Sequence, residues 1–184
     1  MVPILIIAGI LLLLIFYFIS IYNRLSKKRI LTQEGWSGIG AFLQQRLDVI
    51  PNLVEVVKGY AGHENKTLTD VIRARNESMT ALTPEAQIEA AKNMNAAMLN
   101  FKSLTEQYPD LKANSNFSKL QEQLAELEEK INQSRRYYNG TVREYNQGLA
   151  IFPQNLVGNM FGFKASPFFE EDAAAKNAPK ISFS

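Results

Sequence analysis

The sequence predicts an all-α protein. An N-terminal transmembrane helix is followed by an antiparallel bundle of about four helices, two long and two shorter, and then by an irregular, aromatic-rich C-terminal tail. Three observations lead there. Residues 1–23 carry no charged side chain. Two long stretches repeat apolar residues every seven positions, the spacing of helices that pack along one seam. Alternating β-branched runs are missing, and turn signals are few and widely spaced.

Composition narrows the function. The chain has 184 residues, no cysteine and one histidine. Without cysteine there is no disulfide framework, thiolate zinc site or cysteine nucleophile. A single histidine removes every motif that needs a pair. No catalytic constellation emerges, so the expectation is a protein that is not an enzyme, with no catalytic residues, metal ligands or cofactor.

The first element is the anchor, residues 1–23. Its apolar side chains are Ile4, Leu5, Ile6, Ile7, Ile10, Leu11, Leu12, Leu13, Leu14, Ile15, Phe16, Phe18 and Ile19. About 21 residues at ~1.5 Å each span ~31 Å, the hydrocarbon thickness of a bilayer. No basic stretch precedes the run, no small-x-small pattern follows it, and it exceeds a usual signal-peptide h-region, so a retained single-pass anchor is expected. Arg24, Lys27, Lys28 and Arg29 mark a basic juxtamembrane helix over residues 24–35. By the positive-inside rule they place residues 24–184 in the cytoplasm and the N-terminus outside. They are also candidate contacts for anionic headgroups. Without these four cations the formal charge of +2 becomes −2. The rest of the chain therefore has no excess of cations for a nucleic-acid-binding face, and no nucleic-acid partner is expected.

The bundle is expected over residues 36–150. Its first helix, continuous with the juxtamembrane segment, runs to about Tyr60. Trp36, Leu43, Ile50 and Val57 form one seam position and Ile39, Arg46, Leu53 and Tyr60 the other. Pro51 removes one backbone bond and is expected to kink the helix around Leu47. A second helix, from about Glu64 to Ala81, presents Leu68, Val71, Ile72, Arg75 and Met79 inward. Thr83-Pro84-Glu85 reads as the start of a third, with Thr83 as N-cap. Ile88, Ala91, Asn95, Met98 and Phe101 share its inner face, and Tyr108-Pro109-Asp110 ends it. The fourth, capped by Asn114, Ser115 or Asn116, repeats Phe117, Leu124, Ile131, Tyr138 and Tyr145 on one seam position. Leu120, Leu127, Ser134, Thr141 and Gly148 fill the other. Phe152-Pro153 ends this helix, and residues 151–184 form a tail that is aromatic first and then small, polar and expected to be disordered.

The stretches Arg46-Leu47-Asp48-Val49-Ile50-Pro51-Asn52-Leu53-Val54, Tyr108-Pro109-Asp110-Leu111-Lys112-Ala113-Asn114, Arg136-Tyr137-Tyr138-Asn139 and Phe161-Gly162-Phe163 resemble the LemA family of bacterial single-pass membrane proteins. The resemblance covers residues ~20 to ~171 and implies a membrane helix followed by a helical bundle. It implies no reaction.

Candidate sites follow from residues out of place. Arg46 falls on a seam that is otherwise apolar, and a buried guanidinium needs partners. Ser134, Tyr138, Thr141 and Tyr145 occupy comparable positions on the fourth helix, so the five are expected to form a polar core layer that receives the tyrosine hydroxyls. Such a layer sets helix register. The sharper reading is an interhelical site for a small anionic ligand, since a guanidinium suits carboxylate or phosphate. His63 beside Glu64 is expected to be solvated or capping. Gly35-x-x-Gly38-x-Gly40 lacks the strand and lysine of a phosphate loop. The run Glu122, Glu126, Glu128, Glu129 with Lys119 and Lys130 reads as a solvated helix face. Phe152, Phe161, Phe163, Phe168 and Phe169 are too many phenylalanines for a free tail, and are expected either to fold back on the bundle or to form an interaction surface. The functional expectation is a non-enzymatic, membrane-anchored bundle acting through a protein partner or as a homo-oligomer at the cytoplasmic face. The alternative is a membrane-tethered sensor or small-ligand binder built on Arg46.

Overall fold

A computed structural model describes residues 2–61 and 66–169. Six helices occur in order: α1 (Val2–Ala61), α2 (Lys66–Thr80), α3 (Pro84–Glu106), α4 (Pro109–Lys112), α5 (Ser115–Ala150) and α6 (Gln154–Met160). There is no strand among the described residues. The described residues divide into two compact units, residues 2–38 with 134–168, and residues 39–61 and 66–133 with 169.

Local chemistry sets the helix ends. Thr83 is extended, and its hydroxyl accepts from the Ala86 amide at 3.2 Å, with Pro84 opening α3 behind it. Asn114 caps α5: its side-chain oxygen accepts from the amides of Asn116 and Phe117 at 2.9 and 3.2 Å. Both caps satisfy amides that the first helical turn leaves without partners. The Tyr108-Pro109 pair ends α3 as expected, and then starts the single turn α4, which buries Leu111.

In the second unit the seam of α1 supplies Ile50, Leu53 and Val57 to the core. Leu68 and Val71 come from α2, Met94, Phe101 and Leu104 from α3, and Phe117 and Leu127 from α5. Buried Ala74, Ala90, Ala91 and Ala97 line the facing sides of α2 and α3, where short side chains permit close approach. Pro51 lies inside α1 and cannot return an N–H to the carbonyl of Leu47. Arg75 replaces that bond, donating from Nε to Leu47 O at 2.9 Å. Two seam expectations are corrected. Met79 and Tyr60 are exposed, because each lies in the last turn of its helix. The Tyr60 hydroxyl accepts instead from Asn114.

In the first unit α1 and α5 run antiparallel. Leu25 faces Gly148, Lys28 Nζ donates to the Glu144 carbonyl at 3.1 Å, and Gly35 faces Tyr137 and Tyr138. The tail is not irregular throughout: α6 follows Pro153 and packs Val157 on Ile21 and Leu25. A Cβ on Gly158 would stand 2.8 Å from Leu149 Cδ2, so a side chain there would require the end of Leu149 to move. The polar stretch expected to be disordered, and His63 with Glu64, lie outside the described residues.

Candidate functional site

Arg46 is the largest fully buried side chain, 1% exposed, and its Nη1 stands 2.9 Å from Glu128 Oε1. The Glu128 side chain is 38% exposed, so the ion pair joins a buried side chain to a partly exposed one. Beside it lies a cavity of about 80 Å³ with Gln44, Arg46, Ser78 and Gln87 among its lining residues. The polar groups around it are already engaged. Gln44 Nε2 donates to Asp48, Ser78 Oγ to the Ala74 carbonyl, and Gln87 Nε2 to the Ala81 carbonyl.

In the first unit, α5 holds the tail by its backbone. The Tyr138 hydroxyl donates to Pro167 O at 2.7 Å and the Tyr145 hydroxyl to Lys164 O at 2.9 Å. Asn146 takes both backbone groups of Ser166: its Nδ2 donates to the carbonyl at 2.9 Å and its Oδ1 accepts from the amide at 3.0 Å. Burial pushes the Tyr145 hydroxyl above its usual 10.0, opposed by the nearby charge of Arg29. Both tyrosine rings are buried, and their hydroxyls donate to backbone carbonyls of the tail. Thr141 Oγ1 donates to the Tyr138 carbonyl within its own helix, and Ser134 is half-buried. Of the five residues expected in one polar layer, Arg46 belongs to the second unit and Ser134, Tyr138, Thr141 and Tyr145 to the first.

The five tail phenylalanines divide. Phe169 is buried, and Phe163 packs on the Ile21–Leu25–Val157 cluster, with the Arg29 guanidinium 6.0 Å from its ring centroid. Phe152, Phe161 and Phe168 are exposed. Tyr22 meets Phe161 and Phe163 edge-on, with centroids 4.9 and 5.5 Å apart. Arg24, Lys27 and Arg29 are exposed on α1, and Lys28 is half-exposed. Gly35, Gly38 and Gly40 all lie inside α1, so no loop forms there. Among the described residues, no group of three or more His, Cys, Asp or Glu is placed to hold a metal ion.

Two features that sequence reasoning passes over matter here. Glu128 was read with the solvated face, although it follows seam residue Leu127 at a flanking heptad position where charges pair across helices. The tail carbonyls have no sequence signal, because any residue supplies one.

An all-helical chain whose first helix, by length and composition, is apolar enough near the N-terminus to cross a bilayer defines a membrane-associated helical-bundle protein. The LemA family model matches residues 35–183, and the chain belongs to that family. It is 28% identical over 148 residues to Protein LemA of Metamycoplasma hominis, covering 78% of this chain and 67% of that protein. It is 22% identical over 169 residues to Magnetosome protein MamQ 2 of Paramagnetospirillum magneticum, covering 78% and 62%. It is 21% identical over 183 residues to Magnetosome protein MamQ of Magnetospirillum gryphiswaldense, covering 85% and 65%. The chain thus spans 62–67% of the length of these relatives.

Proposed function

We propose that this chain is a non-enzymatic, single-pass membrane protein whose helical bundle works by protein–protein interaction or assembly at the cytoplasmic face of a bacterial membrane. The observation that carries the reading is the way the polar side chains of the interior are used. Arg46 pairs with Glu128, Arg75 completes the backbone at Pro51, and Tyr138, Tyr145 and Asn146 bind tail backbone. Each holds the fold together, which leaves the outer surface for function. Two relatives are magnetosome proteins, in keeping with a role at a membrane-bound structure. The topology rests on Arg24, Lys27, Lys28 and Arg29 directly after the span.

Photo-crosslinking in intact cells tests it, with the crosslinker at exposed Leu82 or Leu99. Adducts to a defined protein or to a second copy are expected, and external protease should leave residues 24–184 uncut. Crosslinks to small metabolites alone, or digestion from outside, would defeat the reading.

A second reading has one observation of its own, the polar cavity beside Arg46. It has room for a few waters or a small carboxylate or phosphate. Ligand binding there would raise the melting temperature with millimolar acetate or phosphate at constant ionic strength. That rise should vanish in Arg46→Met.

A further inference from the structure

We propose that α6 and its flanking turns, residues 151–163, form a second membrane contact: a foot whose exposed apolar side chains enter the lipid at the base of the α1 span. The inference rests on reading the first part of α1 as that span.

Nineteen consecutive residues, Tyr145–Phe163, carry no charge. In water such a run is normally covered, and its inner side is. Val157 and Gly158 are buried, Val157 in the cluster of Ile21 and Leu25 and Gly158 against Leu149. Its outer side is bare: Phe152, Leu156, Met160 and Phe161 are 73, 49, 69 and 57% exposed. Such a cluster of large apolar side chains marks a surface that meets a partner.

Position identifies the partner. Met160 and Phe161 wall a groove of about 500 Å³ whose other wall is the face of α1 from Leu11 to Tyr22. That wall is the span itself. Whatever surrounds the span fills the groove, and around a bilayer-crossing helix this is acyl chain. The end of α6 therefore lies at the depth of Phe18 to Tyr22, inside the apolar run and not beyond it.

The boundary chemistry agrees. Tyr22, Phe161 and Phe163 form an edge-on aromatic cluster at the end of the span, the level at which aromatic side chains collect at bilayer surfaces. Cations begin directly beyond that level on both segments, with exposed Arg24 and Lys27 on α1 and exposed Lys164 after the foot. Apolar side chains face inward to lipid and cations outward to headgroups, as in helices that lie in the interface. A bilayer accounts for both, whereas a protein partner would account only for the apolar part.

The chain has no cysteine, so single replacements label cleanly. The full chain is reconstituted into vesicles of phosphatidylcholine and phosphatidylglycerol. An environment-sensitive fluorophore is placed at Met160→Cys or Leu156→Cys, with Leu12→Cys reporting the span and Leu82→Cys reporting water. Lipid spin-labelled near the headgroup end of its acyl chain should remove most of the emission at Met160→Cys and Leu156→Cys, while iodide removes little. Deep-chain spin label should quench Leu12→Cys, and iodide should quench Leu82→Cys. If Leu12→Cys is quenched by lipid but Met160→Cys and Leu156→Cys answer only to iodide, the foot is refuted and the span stands. If iodide protection at residue 160 disappears on dilution into excess vesicles, a second copy was covering the surface, and the proposal is overturned. If Leu12→Cys itself stays in water, the span reading fails and the foot falls with it.

Discussion

Replacing Arg75 by methionine keeps most of the apolar stem and removes the guanidinium, including the Nε donor. Arg75 Nε donates to the Leu47 carbonyl at 2.9 Å. That carbonyl lies one helical turn before Pro51, which has no N–H to give it. Leu47 is buried, so the substitution leaves an acceptor in the core without its donor. A hydrogen bond to a charged group contributes ~1.5–3 kcal/mol, and an unsatisfied buried acceptor costs ~1–3 kcal/mol. Arg75 is half-exposed, so water can enter and the lower end applies, about 1.5 kcal/mol. At ~2–4 °C per kcal/mol for a chain of this size, the melting temperature should fall by about 3–6 °C. The decisive comparison is the same change in a Pro51→Ala background. Alanine restores the N–H within α1, so Arg75→Met should then cost little, a coupling of about 1 kcal/mol. Circular dichroism during denaturant unfolding of the four proteins in one detergent measures it. Equal losses in both backgrounds would refute the reasoning, since the loss would then come from packing of the arginine stem.

Further expectations follow from other contacts. Glu128→Ala should cost more than Arg46→Met, about 3 against 1–2 kcal/mol, because the first leaves a charge in the core without its carboxylate and the second leaves a carboxylate that water reaches. Equal unfolding midpoints would contradict the one-sided burial. The raised Tyr145 ionisation makes a contribution that is complete below pH 10.0 and is lost as pH rises through the higher folded-state value, because the unfolded chain gives up its proton first. Alkaline titration should therefore destabilise Tyr145→Phe less steeply than the parent, and parallel curves would count against it. Gly38→Ala meets nothing within 4 Å and should stabilise α1 by ~0.5–1 kcal/mol. Gly158→Val, against Leu149 Cδ2 at 2.8 Å, should destabilise by ~1–3 kcal/mol, and thermal melts of the pair would expose an error in either sign.

Much of the fold was legible because it depends on local periodicity. A charge-free run of bilayer length needs no partner to be recognised. The heptads located the inner faces of α1 and α5, and Ile39, Ile50, Leu53, Val57, Phe117, Leu127, Ile131, Tyr138 and Tyr145 are buried. The caps at Thr83 and Asn114 involve side chain and backbone within a few residues, which is why they could be read from the sequence.

Partnership was beyond the sequence, because a seam position says that a side chain is inward without saying what meets it. Arg46 is inward by spacing, but only the folded chain brings Glu128 to it across 82 positions of sequence. The Pro51 gap is visible in the sequence, while the arginine that fills it comes from a different helix. The tyrosine hydroxyls reach tail carbonyls 29 and 19 residues away, and a carbonyl has no residue identity to announce it. The sequence by itself determined the four longer helices, most of their inward faces and the apolar first span. The tertiary structure alone decided which buried charges and donors meet and which apolar side chains of residues 151–163 stay uncovered, because those outcomes depend on contacts between residues far apart in the chain.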